Sequence, residues 1–415
     1  MILIFRFKST FFIWFIISLL LISCGSRGKN QETRGKKQDT NVKLVAKNNE
    51  QSIIVGADNL NEYLPLLKNK NIAIVANQTS IVNKNIHLVD YLNKQFPNKL
   101  QRVFAPEHGF RGKADAGEHI KNGIDKKTGL PIISLYGKNK KPNKAQLKNV
   151  DIVIFDIQDV GVRFYTYIST LHYIMEACAE QNIPVIILDR PNPNAYYIDG
   201  PILEKEHKSF VGMHNVPLVY GMTIGEYAKM INGEKWLKNG IQCELTVVPL
   251  KNYTHQTEYV LPIKPSPNLP NSKSINLYPS LAFFEGTNVS CGRGTEMQFQ
   301  LFGSPFLNKK YFDFEFTPKP NFGSKNPKHN GKVCNGIDLR NNKKLNKLNL
   351  EWLIDAYVST NDKSKFFNPF FTKLAGTKKL QQQIEQHYTY REIRKTWLKD
   401  LAKFKKVRSK YLIYE

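Results

Sequence analysis

Carboxylates, imidazoles and guanidinium groups recur in this chain just beyond short apolar runs. Pro106-Glu107-His108-Gly109-Phe110-Arg111-Gly112 places an acid, a base and a cation within a few positions, and Glu118-His119 repeats the Glu-His dipeptide eleven residues later. Such groups serve proton transfer, anion binding or a divalent metal. The spacing argues against metal. Neither pair has the H-E-x-x-H pattern that sets two imidazoles on one helix face, and Gly109, Gly112 and Gly117 point to a loop. No metal is expected, and hydrogen-bonding roles suit both histidines. Three further loops carry similar chemistry: Asn77-Gln78-Thr79-Ser80; Asp156-Ile157-Gln158-Asp159, running on to Arg163 and Tyr165; and Arg190-Pro191-Asn192-Pro193-Asn194. In the second half, Glu285 and the triplet Gly292-Arg293-Gly294 combine an acid with a guanidinium fork on a backbone that allows close approach.

The elements that must position these loops alternate in the manner of βαβ units. Ile72 to Ala76, Gln101 to Ala105, Asp151 to Asp156 and Pro184 to Asp189 are near-continuous apolar runs suited to parallel strands buried on both faces. His87 to Gln95 and Tyr165 to Gln181 read as helices between them. This is the order of a doubly wound α/β sheet, Rossmann-like, whose loops converge beyond the carboxyl ends of the strands. All four loops above leave those ends. No G-x-G-x-x-G follows the first strand, and neither a G-x-x-x-x-G-K-[ST] loop nor a G-x-S-x-G elbow occurs, so no dinucleotide, nucleotide or serine-esterase chemistry is expected. No cofactor is expected, which leaves carboxylates as the reacting groups. After Asp199-Gly200-Pro201 the chain turns proline-rich, with short strands such as Glu244 to Val248 and helices toward the end. A Rossmann-like domain over 51–205 and a smaller α+β domain over 206–415 are expected.

Length and composition agree with a folded body: 415 residues, 41% hydrophobic and 12% aromatic. The net charge of +25 would suit an anionic partner, yet it comes from 48 scattered Lys and only 12 Arg, which reads as a solvated surface and not a nucleic-acid site. Arg6 and Lys8 precede an apolar run from Phe11 to Ile22 that suits an export signal and is too short to span a bilayer. Leu21-Ile22-Ser23-Cys24 resembles the bacterial lipoprotein box. It implies a signal over 1–23, lipidation of Cys24, a polar tether over 24–50, and a body held in the periplasm by a membrane anchor.

Several segments together carry a wider likeness: Asn77 to Ser80, APEHGFRG over 105–112, Ser134-Leu135-Tyr136-Gly137, DIVIFDIQDVGVRFYTYI over 151–168, Asp189 to Pro193, Tyr220 to Glu226, Ser266 to Pro270 and Cys291 to Thr295. From about Ser52 to Tyr414 the chain resembles the NamZ-type exo-β-N-acetylmuramidases, glycoside hydrolase family 171. The resemblance implies a cleft between two domains that releases terminal N-acetylmuramic acid from the non-reducing end of peptidoglycan fragments. It implies Glu107 as general acid and a second carboxylate, for which Asp159 ranks ahead of Asp156, Glu118 and Glu285. Arg111, Arg163 and Arg293 are candidates for the sugar's lactyl carboxylate. Asn77, His108, Gln158, Tyr165 and Arg190 complete the expected substrate contacts, with Phe110 as a further aromatic face and Tyr167 expected in the core. A non-catalytic lipoprotein that binds muropeptides is the alternative.

Overall fold

Ile72–Ala76 and Ile152–Asp156 offer almost no polar face to water, so they are stable only as inner strands covered on both sides. The computed structural model, which describes residues 52–112 and 122–415, places them there. Both are buried throughout and pair in parallel, Ile72 opposite Ile152 and Ala76 opposite Asp156. Leu100–Ala105 and Pro131–Ser134 extend the sheet on one side, Val185–Leu188 and Leu245–Val248 on the other, and the short antiparallel Gly123–Ile124 lies at an edge. Counted along the chain, the six parallel strands stand in the order 3-2-1-4-5-6, which is the doubly wound arrangement. The four strands expected from sequence are all present, each end within one residue of its expected place. The expected helices are Leu88–Gln95 and Tyr167–Ala179. Cys24, Glu118 and His119, with the signal segment and tether, lie outside the described residues.

Alternate strand positions feed two apolar layers. Ile72, Ile74, Val103, Ile154 and Ile186 face a layer closed by Leu88, Val89 and Leu92 of the first helix. Val75, Phe104, Val153, Phe155 and Ile187 face a larger layer that includes helix Tyr167–Ala179 and continues into Phe283, Phe302, Leu353 and Phe371 of the second half. That half carries a small antiparallel sheet in which Cys334–Asp338 lies between Leu301–Ser304 and Phe314–Phe316.

The sheet reaches further along the chain than the sequence suggests. Leu245–Val248, read as part of the second domain, pairs in parallel with Val185–Leu188, and helix Ile224–Gly233 packs against that same strand. An edge strand is half-exposed, and its mixed burial hides the apolar signature that marks the inner strands. The tail also returns to the sheet: the Tyr414 hydroxyl donates to Asp189 at 2.6 Å, and Glu226 Oε1 accepts from the backbone N–H of Ile413 at 2.8 Å. Ile393 of helix Tyr390–Lys395 and Leu401 and Phe404 of helix Leu398–Arg408 are buried, as is Trp397 between the two helices.

Candidate active site

The loop that leaves Leu100–Ala105 turns at once. Gly109 N–H donates to Pro106 O at 3.0 Å, and His108, Gly109 and Gly112 all take left-handed backbone angles. At Gly112 the left-handed backbone favours glycine, and a Cβ would also lie 2.6 Å from the Gln78 side chain, which would have to shift. The turn leaves Glu107 half-buried at the wall of a cavity of about 650 Å³, a volume suited to a small ligand. Thr166, which precedes helix Tyr167–Ala179, donates its hydroxyl to Glu107 Oε2 at 2.7 Å. Tyr136 is a second hydroxyl partner of the same carboxyl, and burial, then the Glu107 charge, push its phenol well above the usual range. Hydroxyls both donate and accept, so this pair can orient the Glu107 carboxyl in either protonation state.

The facing wall belongs to the second half. Asn271 starts helix Ser272–Leu281 with a capping box, and a 3-10 turn over Ala282–Gly286 then carries Glu285 to the cavity. Arg293 stands on a turn whose Gly292 and Gly294 are both left-handed, and its Nε and Nη2 lie 2.7 and 2.6 Å from Glu285 Oε1. Burial, the largest single influence, would lower the guanidinium's pKa, but the Glu285 charge and hydrogen bond, together with Cys291 and Tyr278, outweigh it and hold Arg293 above its ordinary value. The guanidinium also lies over the Phe299 ring at 5.2 Å. Glu107, His108, Tyr165, Glu285 and Arg293 are the sequence candidates that this cavity brings together.

The others lie elsewhere. Asp159, ranked first as second carboxylate, does not line the cavity; it is 3% exposed and accepts from Gly161 N–H at 2.7 Å and from the Tyr220 hydroxyl. Among the described residues, Glu285 is the acid that shares the cavity with Glu107. Asp156 is sealed beneath the crevice in a two-point ion pair with Arg190, at 2.6 and 2.9 Å. Asn77 ties the Tyr167 hydroxyl and caps Thr79, while the Gln158 amide donates to the carbonyls of Asp159 and Pro191. The topological switch point between Ile72–Ala76 and Ile152–Asp156 is thus filled by the chain's own polar groups, and the open cavity lies to one side of it. Arg111 pairs with Asp125 at 2.8 Å and Asp90 at 3.3 Å and lines a separate hollow with Gln78 and His87. Arg163 is fully buried and points away from solvent, donating to the carbonyls of Pro201, Val216, Leu374 and Ala375. Phe110 packs edge-on against His87, and Tyr167 is buried as expected.

Burial raises the Asp159 carboxyl to about 6, and the donors from Tyr220, Gly161 and Val160 only partly offset it. A folded-state pKa above the unfolded value means that the folded protein binds the extra proton, so this contribution favours folding below pH 4 and is lost as pH rises through 6. Asp159→Asn, which cannot ionise, is therefore expected to gain stability relative to wild type between pH 4 and pH 7, by roughly 1–3 kcal/mol. Paired thermal melts across that range check it, and a constant or shrinking difference would contradict it.

Several lining residues escaped the sequence reading as site residues: Tyr136, Thr166, Ser266, Asn268, Tyr278 and Lys325. Tyr136, Ser266 and Asn268 lie in the motifs Ser134 to Gly137 and Ser266 to Pro270, which carried a signal. Tyr278 sits inside an ordinary helical pattern, and Lys325 in a run rich in Lys and Asn, so neither stands out.

Residues 72–273 match the family model described as exo-β-N-acetylmuramidase NamZ, N-terminal, and residues 276–414 the corresponding C-terminal model. The chain is 41% identical over 411 residues to the peptidoglycan β-N-acetylmuramidase NamZ of Bacillus subtilis, covering 94% of this chain and 95% of that protein. Two crystal structures of DUF1343 family proteins from Bacteroides fragilis each cover 88% of this chain and 99% of their own; one is 47% identical with a TM-score of 0.81, the other 30% identical with a TM-score of 0.74.

Proposed function

Because the chain belongs to the NamZ exo-β-N-acetylmuramidase family, we propose that the cavity between Glu107 and Glu285 is where it removes terminal N-acetylmuramic acid from peptidoglycan fragments. The protein is a glycosidase of cell-wall material, and the observation that carries the assignment of the site is the meeting of two glutamates from opposite halves of the chain in one cavity of sugar size. Glu107 serves as general acid toward the glycosidic oxygen, oriented by Thr166 and Tyr136. Glu285, ion-paired with Arg293, is the second carboxylate and supports the positive charge that develops on the sugar. Arg293 and Lys325 line the same cavity, and their positive charges suit a substrate that carries its own carboxylate, as the lactyl group does.

The lipoprotein-like sequence at Cys24 supports a body tethered to the bacterial envelope and working in the periplasm, where such fragments arise. The assay is release of free N-acetylmuramic acid from muramic-terminated fragments by the purified protein. Binding of those fragments with no release would favour a non-catalytic receptor. Glu285→Gln is expected to lower kcat by about a hundredfold or more, because a neutral amide leaves the developing cation uncompensated; a rate equal to wild type would remove Glu285 from the reaction.

A further inference from the structure

The two cavity glutamates are linked by a continuous run of rings. The Tyr167 hydroxyl lies 3.4 Å from the Glu107 carbonyl oxygen, and its ring meets Tyr165 edge-on at 4.8 Å. Tyr165 meets Tyr278 at 6.0 Å, Tyr278 meets Phe299 at 4.8 Å, and Phe299 lies under the guanidinium that grips Glu285. Tyr278 is thus in the middle of the series. Phe164 adds a third perpendicular contact at 5.3 Å, so its ring is held on three sides. Although only 8% exposed, Tyr278 lines the cavity with both glutamates. Burial, then the charge of Glu285, pushes its phenol well above the usual range, and Glu107 adds to this, so at neutral pH it is a hydrogen-bond donor and not a phenolate nucleophile.

An amide presents one N–H donor and one carbonyl acceptor. This wall offers the complement: an ion-paired carboxylate that can accept, at Glu285, and a phenol that can donate, at Tyr278, whose ring is held on three sides. We propose that Tyr278 is the residue that reads the sugar's 2-acetamido group, its hydroxyl donating to the acetamido carbonyl while Glu285 accepts from the acetamido N–H. The proposal rests on the glycosidase reading of the cavity and adds to it the group that makes the site specific for N-acetylated sugars.

Tyr278→Phe tests it, because the ring cage is kept and a single oxygen is lost. Inhibition of the chromogenic β-glycosidase reaction by N-acetylmuramic acid and by muramic acid, its free-amine form, is compared in wild type and variant. The preference for the acetylated sugar is expected to fall about three- to tenfold in the variant, the range for one neutral hydrogen bond, while inhibition by muramic acid stays near its wild-type value. An unchanged preference overturns the proposal. Should the variant fail to fold, the carbonyl 13C shift of N-acetyl-labelled product bound to wild type decides instead: a displaced shift supports the hydrogen bond, and the free-solution value overturns it. Absence of any sugar release by wild type would overturn the glycosidase reading itself, which keeps the two failures distinct.

Discussion

Glu107→Gln is expected to lower kcat on muramic-terminated fragments by about 10²–10⁴-fold, the usual share of a positioned general acid. The amide keeps the size of the side chain and can still bond to Thr166 and Tyr136, so the melting temperature and substrate affinity should change little. The loss should depend on the leaving group. A natural sugar alkoxide needs a proton to depart, whereas a dinitrophenolate does not, so the variant should recover much of its rate on a dinitrophenyl β-glycoside of N-acetylmuramic acid. Equal deficits on both substrates would mean that Glu107 does not deliver the proton. Wild-type rates on both would take it out of the chemistry altogether.

Arg163→Met should instead destabilise the fold, by roughly 4 kcal/mol, a large part of a domain's usual margin. The guanidinium is sealed without a carboxylate partner among the described residues, and burial lowers its pKa to about 9, which leaves it charged at neutral pH. Its charge is stabilised by four backbone carbonyls, at 2.7 Å from Pro201, 2.9 Å from Val216, 3.1 Å from Leu374 and 2.6 Å from Ala375. The last two end helix Phe370–Ala375, which supplies Phe370 and Leu374 to the cavity wall. Gly376 must follow in the left-handed region, and a Cβ there would lie 2.7 Å from Arg163 Nη2. Methionine fills the space but strands the carbonyls. Chemical denaturation should show the lost stability, accompanied by a higher KM as the wall loosens. A stable variant with impaired binding alone would restore Arg163 to the substrate contacts proposed from sequence.

These two outcomes separate residues that look alike in the linear chain. Asp159 and Glu285 are both acids in glycine-containing loops, as Arg163 and Arg293 are both guanidinium groups near a turn. In each pair one member is sealed in the core and the other opens on the cavity. Periodicity cannot distinguish them, because burial depends on what the remote half of the chain lays over each loop. Helix Ser272–Leu281 and the turn at Gly292 to Gly294 form the second wall of the cavity, more than a hundred residues from the strand loop that presents Glu107.

Local sequence determined the four inner strands, the helices between them, the loops at their carboxyl ends and the place of Glu107 beyond the second strand. These follow from apolar runs that must be covered on both faces and from turn residues with few allowed conformations. The edge strand Leu245–Val248, the filling of the switch point, the pairing of Glu285 with Glu107 and the caging of Tyr278 were decided only by the tertiary structure. Those features arise from contacts between distant segments, where shape and charge complementarity, and not residue type, select which polar group is left open to bind.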